Sequence, residues 1–156
     1  MCFPRTDNPV VTGNAGPTHH DHEENPVTEI RSHIVIDTPA DTVWKLIGDV
    51  PNIAHWMPSM IESRGDADQR TVTLADGATL IEKIVTNDAA RRRLQYAVVG
   101  GDLPVTTHLG TVDVLPIAED RSIVVYSTEL EPADLADAFD SAISAGLAHL
   151  KSLLER

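Results

Sequence analysis

From about residue 60 to Pro132 the chain alternates apolar and polar side chains, and its last twenty or so residues switch to a three- and four-residue repeat. This change of period constrains the fold more than any other feature. A period of two puts alternate residues on one face of a sheet, and a period near 3.6 draws a stripe down a helix. The first part therefore reads as a meander of strands and the second as one long helix. Asp76-Gly77, Asn87 to Ala90, Gly100-Gly101-Asp102 and Pro116 to Asp120 mark the turns of the meander. Leu135, Phe139, Ile143, Leu147, Leu150 and Leu154 form the stripe of the helix. Each is worth about 1.5–3 kcal/mol if fully buried, so this helix must lie against the sheet.

Ahead of the meander, Ile30, Ile34 and Ile36 alternate with polar residues as in a strand. Thr38-Pro39-Ala40-Asp41 then offers a helix start, with a capping hydroxyl and a proline in the first turn. Val43, Trp44 and Ile47 supply its buried side, and Gly48 ends it. Asp49 to Trp56 reads as a second short helix that Pro58 stops. The expected order is strand, two helices, about six antiparallel strands and a long helix: an α+β fold.

Residues 1–27 form a different zone, broken by Pro4, Pro9, Gly13, Gly16, Pro17 and Pro26 and poor in apolar side chains. They read as a flexible or surface-docked arm before a folded domain over 28–156, an arm long enough to bridge a homodimer. Within it, His19-His20-Asp21-His22-Glu23-Glu24 is dense enough in ligands to hold zinc, nickel or copper. The spacing matches no closed site, so a solvated tail is the preferred reading and neither a metal nor a cofactor is expected.

The 156 residues suit a single domain. One cysteine, Cys2, excludes an internal disulfide framework. The excess of 24 acidic over 12 basic side chains, a net charge of −12, disfavours nucleic-acid backbones and anionic lipid surfaces. No apolar run nears the roughly 20 residues that cross a bilayer, and none follows a basic start as in a secretory signal. A cytoplasmic protein is the expectation.

Four polar residues fall on the apolar side of the alternation: Glu82 in Leu80-Glu82-Ile84, Tyr96 in Leu94-Tyr96-Val98, His108 in His108-Gly110-Val112-Val114, and Glu129 in Ile123-Val125-Ser127-Glu129. Such groups on an aliphatic face are costly unless paired or used. Turns centred on Ala89, on Asp102 and between Ala118 and Glu119 would set Glu82 opposite Tyr96, Tyr96 opposite His108, and His108 opposite Glu129. Adjacent strands lie about 4.8 Å apart, so this row could bond from strand to strand. One bulge would turn a member out of it. A loop at Ala75-Asp76-Gly77 also sets Arg70 against Glu82, which would make Glu82 half of a salt bridge. His33 and His149 read as surface residues; His55 lies beside the expected cavity mouth.

The ordered set Thr38-Pro39-Ala40 with Val43-Trp44, Asp49 with Trp56, Ala75-Asp76-Gly77, Leu94-Gln95-Tyr96 and Glu129-Leu130-Glu131-Pro132 resembles the START-like, or SRPBCC, helix-grip superfamily. Within it the chain is similar to the polyketide cyclase/dehydrase branch. The resemblance, over Ile30 to Arg156, implies a curved antiparallel sheet gripping the last helix around a ligand cavity. Val98-Val99-Gly100-Gly101-Asp102 also looks like a turn of the plant abscisic-acid receptors, in which positions matching Glu82, Tyr96 and His108 face the hormone. On this footing Trp56, Thr106, Phe139 and Ile143 complete the cavity wall, with Glu129 as a further ligand-binding residue.

Two functions follow as expectations. In the first, a cofactor-independent cyclase, aromatase or dehydratase acts on an apolar carbonyl compound. His108 removes a proton, Tyr96 bonds the developing enolate oxygen, and Glu82 or Glu129 orients the imidazole. In the second, the same groups orient a lipid, polyketide or aromatic ligand in a carrier or sensor without chemistry.

Overall fold

The structure, a computed structural model, describes residues 27–156. The arm and its candidate metal ligands His19, His20 and His22 therefore lie outside the described residues. Strand β1 (Thr28–Ile36) leads into helix α1 (Ala40–Ile47) and a short 3-10 segment, Val50–His55. Six strands follow: β2 (Met60–Gly65), β3 (Gln69–Leu74), β4 (Thr79–Asp88), β5 (Arg93–Gly101), β6 (Thr107–Ala118) and β7 (Arg121–Glu131). A turn of 3-10 helix at Ala133–Leu135 precedes the long helix α2 (Ala136–Leu154).

The strands form one antiparallel sheet in the order β1-β7-β6-β5-β4-β3-β2. Each strand from β2 to β7 is joined to the next by a tight connection, and β1 closes beside β7. Gly77 takes φ +90° in the β3–β4 turn, a conformation that suits glycine. The sheet curls around α2, which buries Ile143, Gly146, Leu147 and Leu150. This is the helix-grip arrangement expected from the sequence.

Two local expectations need correction. Thr38 does not cap α1: Pro39 holds that position, and no side chain caps it. The Thr38 hydroxyl instead donates to the Leu154 carbonyl at 3.2 Å, where the last turn of α2 leaves acceptors unfilled. Lys151 Nζ donates to the Val35 carbonyl at 2.8 Å, and Glu155 accepts from the Asp37 amide at 2.8 Å. These bonds tie the end of the long helix to the corner between β1 and α1.

The second correction is one of register. The β6–β7 turn pairs Ala118 with Arg121, but the register shifts by one between Pro116 and Ala118, so that Pro116 pairs with Ser122 and His108 with Leu130. Proline has no N–H to give a ladder and is found at such bulges. Everything beyond this point on β7 is turned over. Ser122, Val124, Tyr126, Thr128 and Leu130 face inward, and Glu129 is exposed on the outer face. Glu129 is therefore not part of the interior row. The β4–β5 and β5–β6 ladders also differ from the expected pairing, with Tyr96 opposite Ile84 and Gly110. Both differences are of two residues, so Glu82, Tyr96 and His108 keep their inward faces.

Candidate functional site

Between the inner face of the sheet and the first half of α2 lies a cavity of about 350 Å³. Its floor is made by Met57, Leu80, Glu82, Tyr96, Tyr126 and Ile143, all buried, and its rim by Ala75, Asp76 and Ala138, all exposed. Half-buried Ser59, Met60, Leu103 and Phe139 line the way between. The walls are almost wholly apolar, so the few polar groups at the floor dominate what can be recognised there.

The first of these groups is a buried ion pair. Arg70 on β3 and Glu82 on β4 stand opposite each other in the ladder, each about 1 % exposed. Arg70 Nε donates to Glu82 Oε2 at 2.5 Å, and Nη1 donates to the Val50 carbonyl at 3.2 Å. The guanidinium carbon lies 4.7 Å from the centre of the Tyr96 ring, a cation–π contact. Burial raises the pKa of Glu82 and the adjacent Arg70 opposes that rise. Neither charge can be removed alone without stranding the other in a low-dielectric interior.

The second is a pair of phenols. The Tyr96 and Tyr126 hydroxyls are hydrogen-bonded to each other, with their rings nearly perpendicular at 86° and 6.4 Å between centres. Burial raises the pKa of both, and each remains a neutral phenol. Two hydroxyls joined by one bond leave one O–H free to donate to a third oxygen. Space for the Tyr96 ring comes from Gly110 on β6: a Cβ there would stand 2.6 Å from Tyr96 Cε1 and Cζ. Tyr126 was not singled out in the sequence because it ends the run Ile123-Val124-Val125-Tyr126, whose continuous apolar character does not fix its phase.

His108 is buried, but it does not line the cavity. Its ring lies between those of Tyr96 and Phe139, tilted to both, with centres 5.4 and 5.5 Å away. Nδ1 accepts a hydrogen bond from the Val98 amide at 3.2 Å, so in the neutral ring Nε2 carries the proton; Nε2 is enclosed without a partner. Burial lowers its pKa from 6.5 to about 4. The lone pair that a general base would use is thus already engaged, and the Nε2–H has no acceptor.

Of the expected wall residues, Phe139 and Ile143 are on the cavity. Trp56 is not: it is enclosed in the core, 6.4 Å from the Tyr126 ring, and its neighbour Met57 takes the wall position. Thr106 is exposed in the β5–β6 connection, where its amide bonds the Glu131 carbonyl at 2.9 Å. Leu103, on the same connection, reaches the cavity in its place. His33 and His55 are exposed. Among the described residues no three of His, Cys, Asp and Glu converge on a metal-sized space.

A curled sheet holding a long helix, with an apolar cavity between them, defines a START-like helix-grip protein. The chain belongs to the family described as polyketide cyclase / dehydrase and lipid transport, whose model matches residues 27–155. No curated protein matches it in a sequence comparison. Among solved structures, protein XoxI from Bacillus cereus is similar with a TM-score of 0.76 and 24% identity, over 81% of this chain and 95% of that one. A START superfamily protein from Mycobacterium smegmatis matches with a TM-score of 0.69 and 14% identity, over 81% and 97%. The di-domain ARO/CYC protein BexL of the BE-7585A biosynthetic pathway matches with a TM-score of 0.70 and 22% identity, over 82% of this chain and 46% of that one. At these identities the likenesses establish the fold. The family and the apolar cavity together support binding of a hydrophobic ligand. Among the described residues no helix is long and apolar enough to cross a membrane.

Proposed function

We propose that the protein binds an apolar small molecule bearing a carbonyl or hydroxyl oxygen, and that this oxygen is held at the cavity floor by the Tyr96–Tyr126 pair. The observation that carries this reading is the placement of two neutral phenols and one carboxylate at the buried floor of an otherwise largely apolar cavity. Burying a ligand carbonyl there without a donor would be costly, and the spare phenolic O–H removes that cost. The apolar remainder of the ligand would lie along Met57, Met60, Leu80, Phe139 and Ile143. Binding by 2-undecanone, followed by calorimetry, tests the reading. Either phenol alone would still offer one O–H, so the single Phe variants should bind nearly as the parent does, whereas Tyr96→Phe/Tyr126→Phe together should weaken binding about three- to tenfold, the value of one hydrogen bond. Unchanged affinity in the double variant would refute the assigned role.

A second reading adds chemistry. Glu82 lines the cavity with its basicity raised by burial, beside donors suited to an enolate oxygen. In an acid–base cyclisation or dehydration, Glu82 would take a proton next to the carbonyl and the phenols would hold the developing negative charge. Such help is worth roughly 10²–10⁴-fold. His108, with Nδ1 bound to Val98, would position Tyr96 in this scheme and leave the base role to Glu82. Deuterium exchange into the α-carbon of bound 2-undecanone, followed by NMR, separates the readings. Exchange that Glu82→Gln abolishes supports catalysis, and exchange no faster than in buffer supports the carrier.

A further inference from the structure

The distribution of charge around the cavity narrows the ligand class, given the binding reading above. The floor is already electrically balanced. Its one carboxylate, Glu82, is matched by Arg70, and Arg70 stands behind Glu82 and the Tyr96 ring and is not on the cavity wall. Arg70 Nη2 is enclosed without a partner but is not on the cavity wall, so a ligand carboxylate or phosphate at the floor would meet Glu82 and neutral phenols. Like charges held close together where water is excluded repel strongly.

The rim has the same sign. Asp76 lines the cavity, Asp102 adjoins Leu103, Asp137 adjoins Ala138 and Asp140 adjoins Phe139; all four are exposed. No lysine, arginine or histidine occurs on residues 57–60, 74–78, 101–106 or 134–142, the segments that carry the rim. None of the four aspartates is in an ion pair among the described residues. The Asp76 and Asp102 carboxylates accept backbone amides of Ala78 and Thr79, which fixes them in place without neutralising them. At the opposite end of the sheet the pattern differs, since Arg91, Arg92, Arg93 and Arg121 each pair with an aspartate. The mouth therefore carries four unneutralised carboxylates and no cation, on a chain whose net charge is already −12.

We propose that the cavity selects electrically neutral ligands, and that it excludes carboxylates, phosphates and acyl chains still attached to an anionic carrier. A neutral ketone, ester, alcohol or phenol enters past the aspartates without penalty and is bonded by the phenols. The corresponding acid is repelled at the rim and again at Glu82. The reactions that supply such a ligand must therefore end in its release from any carrier that bears phosphate or carboxylate charge.

Matched pairs test this by calorimetry at pH 7.5: 2-undecanone against decanoate, and 2-naphthol against 2-naphthoate. The neutral member should bind at least tenfold more tightly in both pairs. In Asp76→Asn/Asp137→Asn, a double change at exposed positions, the preference should shrink, and added salt should shrink it in the parent protein. Equal or tighter binding of the anions would overturn the charge selection while leaving the cavity in use as a binding site. Failure of all four probes to bind would overturn the binding reading itself and this inference with it.

Discussion

Replacing Gly110 by alanine should disable the cavity floor by displacing a neighbour. Gly110 lies directly under the Tyr96 ring, where an added Cβ would stand 2.6 Å from Cε1 and Cζ and 2.9 Å from the hydroxyl oxygen. Carbon atoms rest in contact at about 3.5–4.0 Å, so the ring must retreat by roughly 1 Å from the sheet. A ring that moves off Gly110 disturbs the bond between its hydroxyl and that of Tyr126. Overpacking of this kind costs about 1–3 kcal/mol, and a buried phenol left without its partner costs a similar amount. The two overlap, because a ring that moves relieves one at the expense of the other, and a net loss of about 2–4 kcal/mol is expected. Urea unfolding of Gly110→Ala, Tyr96→Ala and the double variant measures the loss and its cause. With the Tyr96 ring gone, the new methyl falls into vacated space, and Gly110→Ala should be neutral or stabilising by about 0.5–1 kcal/mol, since alanine loses less freedom than glycine in a strand. If Gly110→Ala costs the same with and without the Tyr96 ring, within about 0.5 kcal/mol, the two positions are independent and the steric argument is wrong.

The buried ion pair gives a second cycle: Glu82→Gln or Arg70→Met alone should destabilise by about 3–5 kcal/mol, whereas Arg70→Met/Glu82→Leu together should lose far less, as urea midpoints would reveal. His108, with its pKa lowered from 6.5 to about 4, keeps its full contribution to stability above pH 6.5 and loses it as the pH falls to about 4, because the unfolded chain takes up a proton that the folded one refuses. The loss amounts to about 3 kcal/mol. Relative to the parent, His108→Gln should therefore flatten the stability profile between pH 7 and pH 4.5, and an unaltered profile would remove the imidazole as its source. At Gly146 on α2 an added Cβ would meet Met57 Sδ at 2.6 Å and Cε at 2.8 Å. Since that side chain is flexible and on the cavity wall, Gly146→Ala should change the melting temperature little and weaken 2-undecanone binding severalfold.

The parts of the fold that alternation alone decides were legible in the sequence. Between the residues of Leu80-Glu82-Ile84, Leu94-Tyr96-Val98 and His108-Gly110-Val112-Val114 stand mostly polar ones, with Ile81, Ala97 and Leu109 the exceptions, so one phase buries the larger apolar set. Tyr96 pairs two residues away from the expected partners, and a shift of two preserves the face; on β4–β5 that shift is reached only after the irregularity between Ile84 and Thr86 offsets a turn displaced by an odd number. β7 offered no such protection. In Ile123-Val124-Val125-Tyr126 both phases are apolar, and the choice between Glu129 and Tyr126 fell to a turn count that the bulge next to Pro116 changes by one. The bulge exchanges a solvated carboxylate for a buried phenol and so decides the chemistry of the floor. Where a strand is apolar on both faces, a proline close to its turn is thus the residue to weigh before any polar side chain is assigned to a site. The Arg70–Glu82 pair was legible from the short Ala75-Asp76-Gly77 loop, which leaves little freedom of register. Its second role was not: only the folded sheet brings the guanidinium over the Tyr96 ring, behind the wall and out of a ligand's reach, and that position is what leaves the cavity without a cation of its own.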